Sequence, residues 1–218
     1  YDRPLLRRFL KDFSFFLILL SFVFGAVTGV GIWFSISLVS PGATSSLIHL
    51  FVWAWATEWV FFIVEILSGY IYYYTWDRMD PFKHMMVGWV YAFSAFMSMV
   101  VINGILAFML SPGGWVETGN FWDAFLNPTF WPSLGLRLLS AFSLAAIFVC
   151  IAVHITKGYN REEKHEIIQE SGLWLTPLIL MIPLSIWFFA NVPPQARDLV
   201  TGEAIAMTLF LLFGMAAS

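Results

Sequence analysis

Six apolar stretches run through this sequence, at 13–39, 48–76, 85–110, 131–156, 172–191 and from 203 to the end. A bilayer core about 30 Å thick takes about 20 apolar residues of helix to cross. Within it every backbone N–H and C=O must find its partner inside the segment, which leaves the helix as the solution for runs of this length. The expected fold is therefore an all-α integral membrane protein with six transmembrane helices in a single domain over 1–218. Composition agrees, with 60% of residues hydrophobic and 11% charged, and a mean hydropathy of +0.79. The net charge of −3 comes with no basic stripe to neutralise phosphates, so the expected surroundings are a lipid bilayer and no nucleic acid. Cys150 is the single cysteine and reads as apolar packing. The chain starts at Tyr1 rather than Met and stops inside an apolar stretch, so neither end is read as native.

Basic residues set the orientation. Arg3, Arg7, Arg8 and Lys11 precede the first stretch, Arg78 and Lys83 fill the second connection, and Lys157, Arg161 and Lys164 fill the fourth. The first and third connections, 40–48 and 111–130, carry none. This places the N-terminus in the cytoplasm of a multi-pass protein of the cell inner membrane. Trp115, Trp122 and Trp131 gather at one boundary, and Tyr70, Tyr72, Tyr73, Tyr74 and Trp76 at the other, as interfacial anchors. Gly25, Gly29 and Gly31 in the first stretch point to close helix packing. The polar run NREEKHEIIQE, at 160–170, is expected to form a short surface helix.

Charges inside the apolar stretches are the candidate working groups. Glu58 and Glu65 lie seven residues apart in the second stretch. That is close to two helical turns, so both point the same way, about 10 Å apart in depth. An ionised carboxylate at mid-bilayer costs several kcal/mol, so it faces a partner, a metal or a water-filled path. Arg137 in the fourth stretch falls at a depth compatible with Glu58. Either the two cancel each other's insertion cost, or Arg137 holds an anionic group such as a haem propionate or a quinone head while the glutamates relay protons or ligate iron. Among the four histidines, His84 begins the third stretch and His154 ends the fourth, both at the same boundary, the arrangement that axial ligation of a haem b between two helices requires. The alternative for each is an interfacial ring. His49 and His165 are read as non-ligands.

Several short motifs carry a further likeness: GAVTG at 25–29, VEILSGYIYYYTWDR at 64–78 followed by His84, ING at 102–104, LNP at 126–128, and a helix ending at Lys157 and Gly158. The acid eleven residues ahead of the Trp76 motif, with the histidine after it, is the most specific of these. Over 25–157 the chain resembles the second to fifth transmembrane helices of subunit I of the cytochrome bd quinol oxidases. The resemblance implies a four-helix unit over about 13–157, with additional helices at 172–191 and 203–218. It also implies a proton-path role for Glu65, haem b and quinol or quinone as cofactors, and other membrane subunits of a respiratory complex as partners. Strict alignment sets Thr57, not Glu58, opposite the family's second glutamate.

Three of the family's elements have no counterpart. They are the first helix with its axial histidine, the low-spin haem ligand expected around 134–137, and the long quinol-binding loop, replaced here by NVPPQARDLVTGE. The expected function is thus a cytochrome bd-like membrane subunit in quinol-linked electron and proton transfer. The first alternative is a haemless scaffold or proton-conducting subunit packed against a cofactor-bearing partner. The second is an ion-coupled transporter, against which stands the absence of an internal repeat.

Overall fold

The structure, a computed structural model, describes residues 3–209 and 212. Its long helices are α1 (Pro4–Val39), α3 (Val52–Tyr74), α4 (Pro81–Leu110) and α7 (Phe130–Ile155). Shorter elements are α2 (Pro41–Leu50), α5 (Trp115–Thr118), α6 (Phe121–Phe125), α8 (Arg161–Gly172), α9 (Met181–Asn191) and α10 (Pro194–Asp198). A 3-10 segment, Leu173–Leu180, joins α8 to α9. Five helical spans are long and apolar enough to cross a membrane: α1, α3, α4, α7 and the run Arg161–Asn191. Half of the expected sixth, from 203 onward, falls outside the described residues.

Helix starts follow the prolines. Pro4 and Pro41 occupy first-turn positions, where a missing N–H leaves no bond unmade. At the start of α4 the Asp80 carboxylate accepts from the backbone N–H of Phe82 at 3.1 Å and of Lys83 at 3.3 Å, capping the helix that Pro81 opens. The expected loop at 40–48 is instead helix α2. Ser40, with φ −145 and ψ 78, ends α1, and Pro41 restarts the helix at once. The surface helix expected at 160–170 is α8, closed by a capping box in which Asn160 and Glu163 satisfy each other's backbone N–H.

Two compact units make up the chain, one over 1–102 and 141–176 and one over 103–140 and 177–218. In the first, the start of α1 packs on the end of α7 and on α8. Phe9, Phe13, Val149, Val153, Tyr159 and Ile167 form its buried cluster. Phe9 stacks on Phe13 with centroids 5.2 Å apart, and Arg8 lies over the Tyr159 ring at 5.2 Å. Further along α1 nothing approaches within 4 Å of where a side chain would stand at Gly25, Gly29 or Gly31, so the close packing expected there is not made among the described residues.

Close approach occurs at other glycines. In the first unit a Cβ on Gly69 would meet the Tyr91 ring at 3.1 Å, and one on Gly88 would meet the Tyr72 ring at 3.0 Å. In the second, a Cβ on Gly104 would lie 2.4 Å from the Phe125 ring. The second unit also holds a buried polar network built from the ING and LNP motifs. Asn103 donates to the Phe130 carbonyl at 3.0 Å and accepts from the Ser133 hydroxyl at 2.7 Å. Asn127 accepts from the Thr129 hydroxyl at 2.8 Å and donates to the Ala124 carbonyl at 3.0 Å. Each amide serves both as donor and as acceptor, which is what a buried polar group in an apolar surround requires.

Candidate functional site

Helices α3 and α4 run antiparallel through a short connection at 75–80, and three contacts fix their register. Tyr72 covers Gly88, Tyr91 covers Gly69, and the Ser98 hydroxyl donates to Glu58 Oε1 at 2.9 Å. On α3 the facing positions are 72, 69, 65 and 58; on α4 they are 84, 88, 91 and 98. Both sets repeat every three, four or seven residues, the spacing of one helix face. The two glutamates therefore share the face of α3 that meets α4.

Glu58, not Thr57, occupies the inward position. Thr57 is exposed and its hydroxyl turns back to the Trp53 carbonyl at 2.8 Å, whereas Glu58 is half-buried against Ser98. The break between α2 and α3 at Phe51, with φ −105 and ψ 22, lies just ahead of this turn. Glu65 is half-buried as well. It lies within electrostatic reach of Glu58 and of Tyr91.

At the end of the seam that carries the basic residues, His84 is 3% exposed. Its Nε2–H donates to the Tyr72 carbonyl at 2.8 Å, and its ring stacks on Tyr72 with centroids 4.4 Å apart. Trp76, expected as an interfacial anchor, is 5% exposed and meets the His84 ring edge-on at 5.0 Å. The Trp76 carbonyl in turn accepts from Arg7 at 3.1 Å. Sequence reasoning identified Glu58, Glu65 and His84, but missed Ser98, Tyr91 and the burial of Trp76.

Asp77 beside this cluster accepts from Lys11, and from Arg7 at 3.1 Å. The Lys11 hydrogen bond, together with the charges of Lys11 and Arg7, holds its carboxyl below the usual range. Arg3 pairs with Glu170. A cavity of about 810 Å³ reaches from Arg3 and Arg7 past Ser14, Tyr72 and His84 to Tyr91.

The other candidate ligands are placed differently. His154, near the end of α7, is exposed, and its carbonyl accepts from Lys164 at 3.2 Å. It does not line the cavity that His84 lines. Arg137 is exposed on α7 in the second unit. His49 donates from Nδ1 to the Ser45 carbonyl at 2.7 Å. Among the described residues no group of three or more His, Cys, Asp or Glu side chains is arranged to hold a metal ion. An axial imidazole binds iron through a bare ring nitrogen, whereas the Nε2–H of His84 is engaged by the Tyr72 carbonyl and His154 does not line the cavity that His84 lines, so the pair as placed does not fit a haem held between them.

Five apolar spans, two of whose carboxylates lie on one helix–helix seam, define a multi-pass membrane protein. The family described as cytochrome bd terminal oxidase subunit I matches residues 6–191, and the chain belongs to that family. A Bacillus subtilis (strain 168) protein named as a cytochrome bd menaquinol oxidase subunit I is 30% identical over 138 residues. That match takes in 61% of this chain and 31% of the relative's length. No solved structure matches significantly. The chain is accordingly a multi-pass membrane protein of that family, and it spans about a third of the length of the relative it matches.

Proposed function

We propose that this chain is the proton-conducting part of a cytochrome bd-type quinol oxidase assembly, with Glu65 and Glu58 carrying protons along the α3–α4 seam toward cofactors held elsewhere in the complex. The observation that carries this reading is the placing of both acids on one inward face, one of them hydrogen-bonded to Ser98. A carboxylate that merely filled space in a membrane helix would cost about 3 kcal/mol on insertion. Two of them on one face, about 10 Å apart in depth, form steps of a path.

Each acid has a distinct part. The Ser98 hydroxyl donates to Glu58 Oε1 and holds that carboxyl in place on the seam. Glu65, half-buried two turns further along the same face, is the next carboxyl on the path. Haem, when bound in the assembly, supplies the electron chemistry of oxygen reduction. The residues of this chain orient and move protons and exclude lipid.

Arg137 fits the same reading from the other unit. An exposed guanidinium on an apolar helix costs about 3 kcal/mol in lipid unless a partner covers it, so we assign it to an anionic group of the assembly. The distribution of basic residues puts the His84 end of the seam and the N-terminus in the cytoplasm, as for a protein of the inner membrane. Menaquinol, named for the Bacillus relative, is the electron donor we propose for the whole complex. Family membership favours this reading over an ion-coupled transporter.

The test is Glu65→Gln in the purified assembly. Quinol-driven turnover is expected to fall on the order of a hundredfold, the scale of a lost proton-transfer group, with haem content and subunit composition unchanged. Turnover equal to the parent would remove Glu65 from the mechanism. A second reading, a scaffold that conducts nothing, would be left standing by that same result.

A further inference from the structure

The seam has a beginning as well as an end, and the residue that begins it is not one of the acids. The cavity of about 810 Å³ is bounded on α3 and α4 by Tyr72, His84, Gly88 and Tyr91. At about 30 Å³ per molecule it has room for a chain of waters. Its outer part carries Arg3 and Arg7, whose charges are offset by Glu170 and Asp77, so its approach is not a bare cationic barrier to protons.

Tyr91 stands where this cavity meets the buried part of the seam. Its ring lies over Gly69, one helical turn from Glu65 on the same face. Tyr72 over Gly88, Tyr91 over Gly69 and Ser98 on Glu58 together fix the register, and it sets Glu65 opposite the turn of α4 that follows Tyr91, where Ser94 is 2% exposed. Tyr91 thus lines the cavity and lies within electrostatic reach of the Glu65 carboxyl. Gly69 makes this position available, since a Cβ there would meet the ring at 3.1 Å.

We propose that the cavity is the proton entry to Glu65 and that the Tyr91 hydroxyl passes each proton on. The inference rests on the proton-conducting reading above and names its supply. In the transfer, the Tyr91 oxygen takes a proton from the nearest cavity water as its own O–H proton moves to a Glu65 carboxylate oxygen, and that water is re-protonated in turn along the cavity waters from bulk solvent. Rotation of the hydroxyl restores the starting state. Only O–H bonds form and break, and no electron moves.

Tyr91→Phe in the purified assembly tests this directly, because it keeps the ring on Gly69 and removes only the oxygen. Two quantities are read. The first is quinol-driven turnover. The second is the rate at which the Glu65 carboxyl infrared band, identified by its loss in Glu65→Gln, shifts on transfer to heavy water. Tyr91→Phe is expected to slow both by about tenfold or more, with haem spectra and substrate KM unchanged. Parent-like exchange and turnover in Tyr91→Phe, with Glu65→Gln still impaired, would overturn the assignment of Tyr91 and leave the role of Glu65 intact. Parent-like turnover in both variants would overturn the underlying reading as well. A packing role alone predicts no change on losing the oxygen, so the two roles give opposite results.

Discussion

Gly104→Ala puts the packing of the second unit to a quantitative test. Two effects oppose each other. Alanine is about 1 kcal/mol better than glycine inside a helix, and Gly104 lies well inside α4. Against this, the new Cβ would stand 2.4, 2.6 and 2.8 Å from three atoms of the Phe125 ring, where ordinary contact begins near 3.4 Å. The ring has little room to withdraw, because it lies against Phe121 at 5.6 Å, Phe130 at 5.5 Å and Trp122 at 6.1 Å between centroids. Forcing one methyl into such a site costs about 1–3 kcal/mol. The clash exceeds the helix gain over most of that range, so a net loss of up to about 2 kcal/mol, centred on about 1, is expected. Unfolding in mixed micelles by graded sodium dodecyl sulfate gives the free energy. Phe125→Leu in the same background should recover part of it by shortening the obstacle. A Gly104→Ala variant as stable as the parent, or more so, would show that the Phe125 ring does not fill this space and would refute the reasoning.

Two further outcomes are expected from charged and capping groups outside the spans. Asp77 has its carboxyl held below the ordinary range, so the contact it makes with Lys11 and Arg7 is fully present above about pH 4 and is lost as pH falls through its lowered value; thermal stability should drop on acidification there, and the drop attributable to this contact should vanish in Asp77→Asn. Asn160→Ala removes one half of the α8 capping box and should weaken the first turn of that helix by about 1 kcal/mol, seen as faster amide hydrogen exchange at 161–164, while exchange equal to the parent would show that the cap contributes nothing.

Helix identity was legible in the apolar runs because a membrane span needs length and hydropathy, both local properties. Boundaries were less so. α1 begins at Pro4 rather than near 13 because its first turns, though charged, have ion-pair partners in Asp77 and Glu170 that only the folded chain supplies. The shared face of Glu58 and Glu65 followed from spacing alone. Ser98 and Tyr91 did not, because the register of α3 on α4 is a long-range property, fixed by which glycine admits which ring. Gly25, Gly29 and Gly31 illustrate the converse. A small residue permits close approach without specifying that a neighbour makes it. Trp76 likewise read as a boundary anchor, until Tyr72 and His84 enclosed it.

The two tyrosine–glycine contacts run in opposite senses, each helix giving a ring to the other and a gap in return. A side chain added at 69 would press on the ring of Tyr91, and one added at 88 on the ring of Tyr72, so a change at either glycine is felt first by the helix opposite.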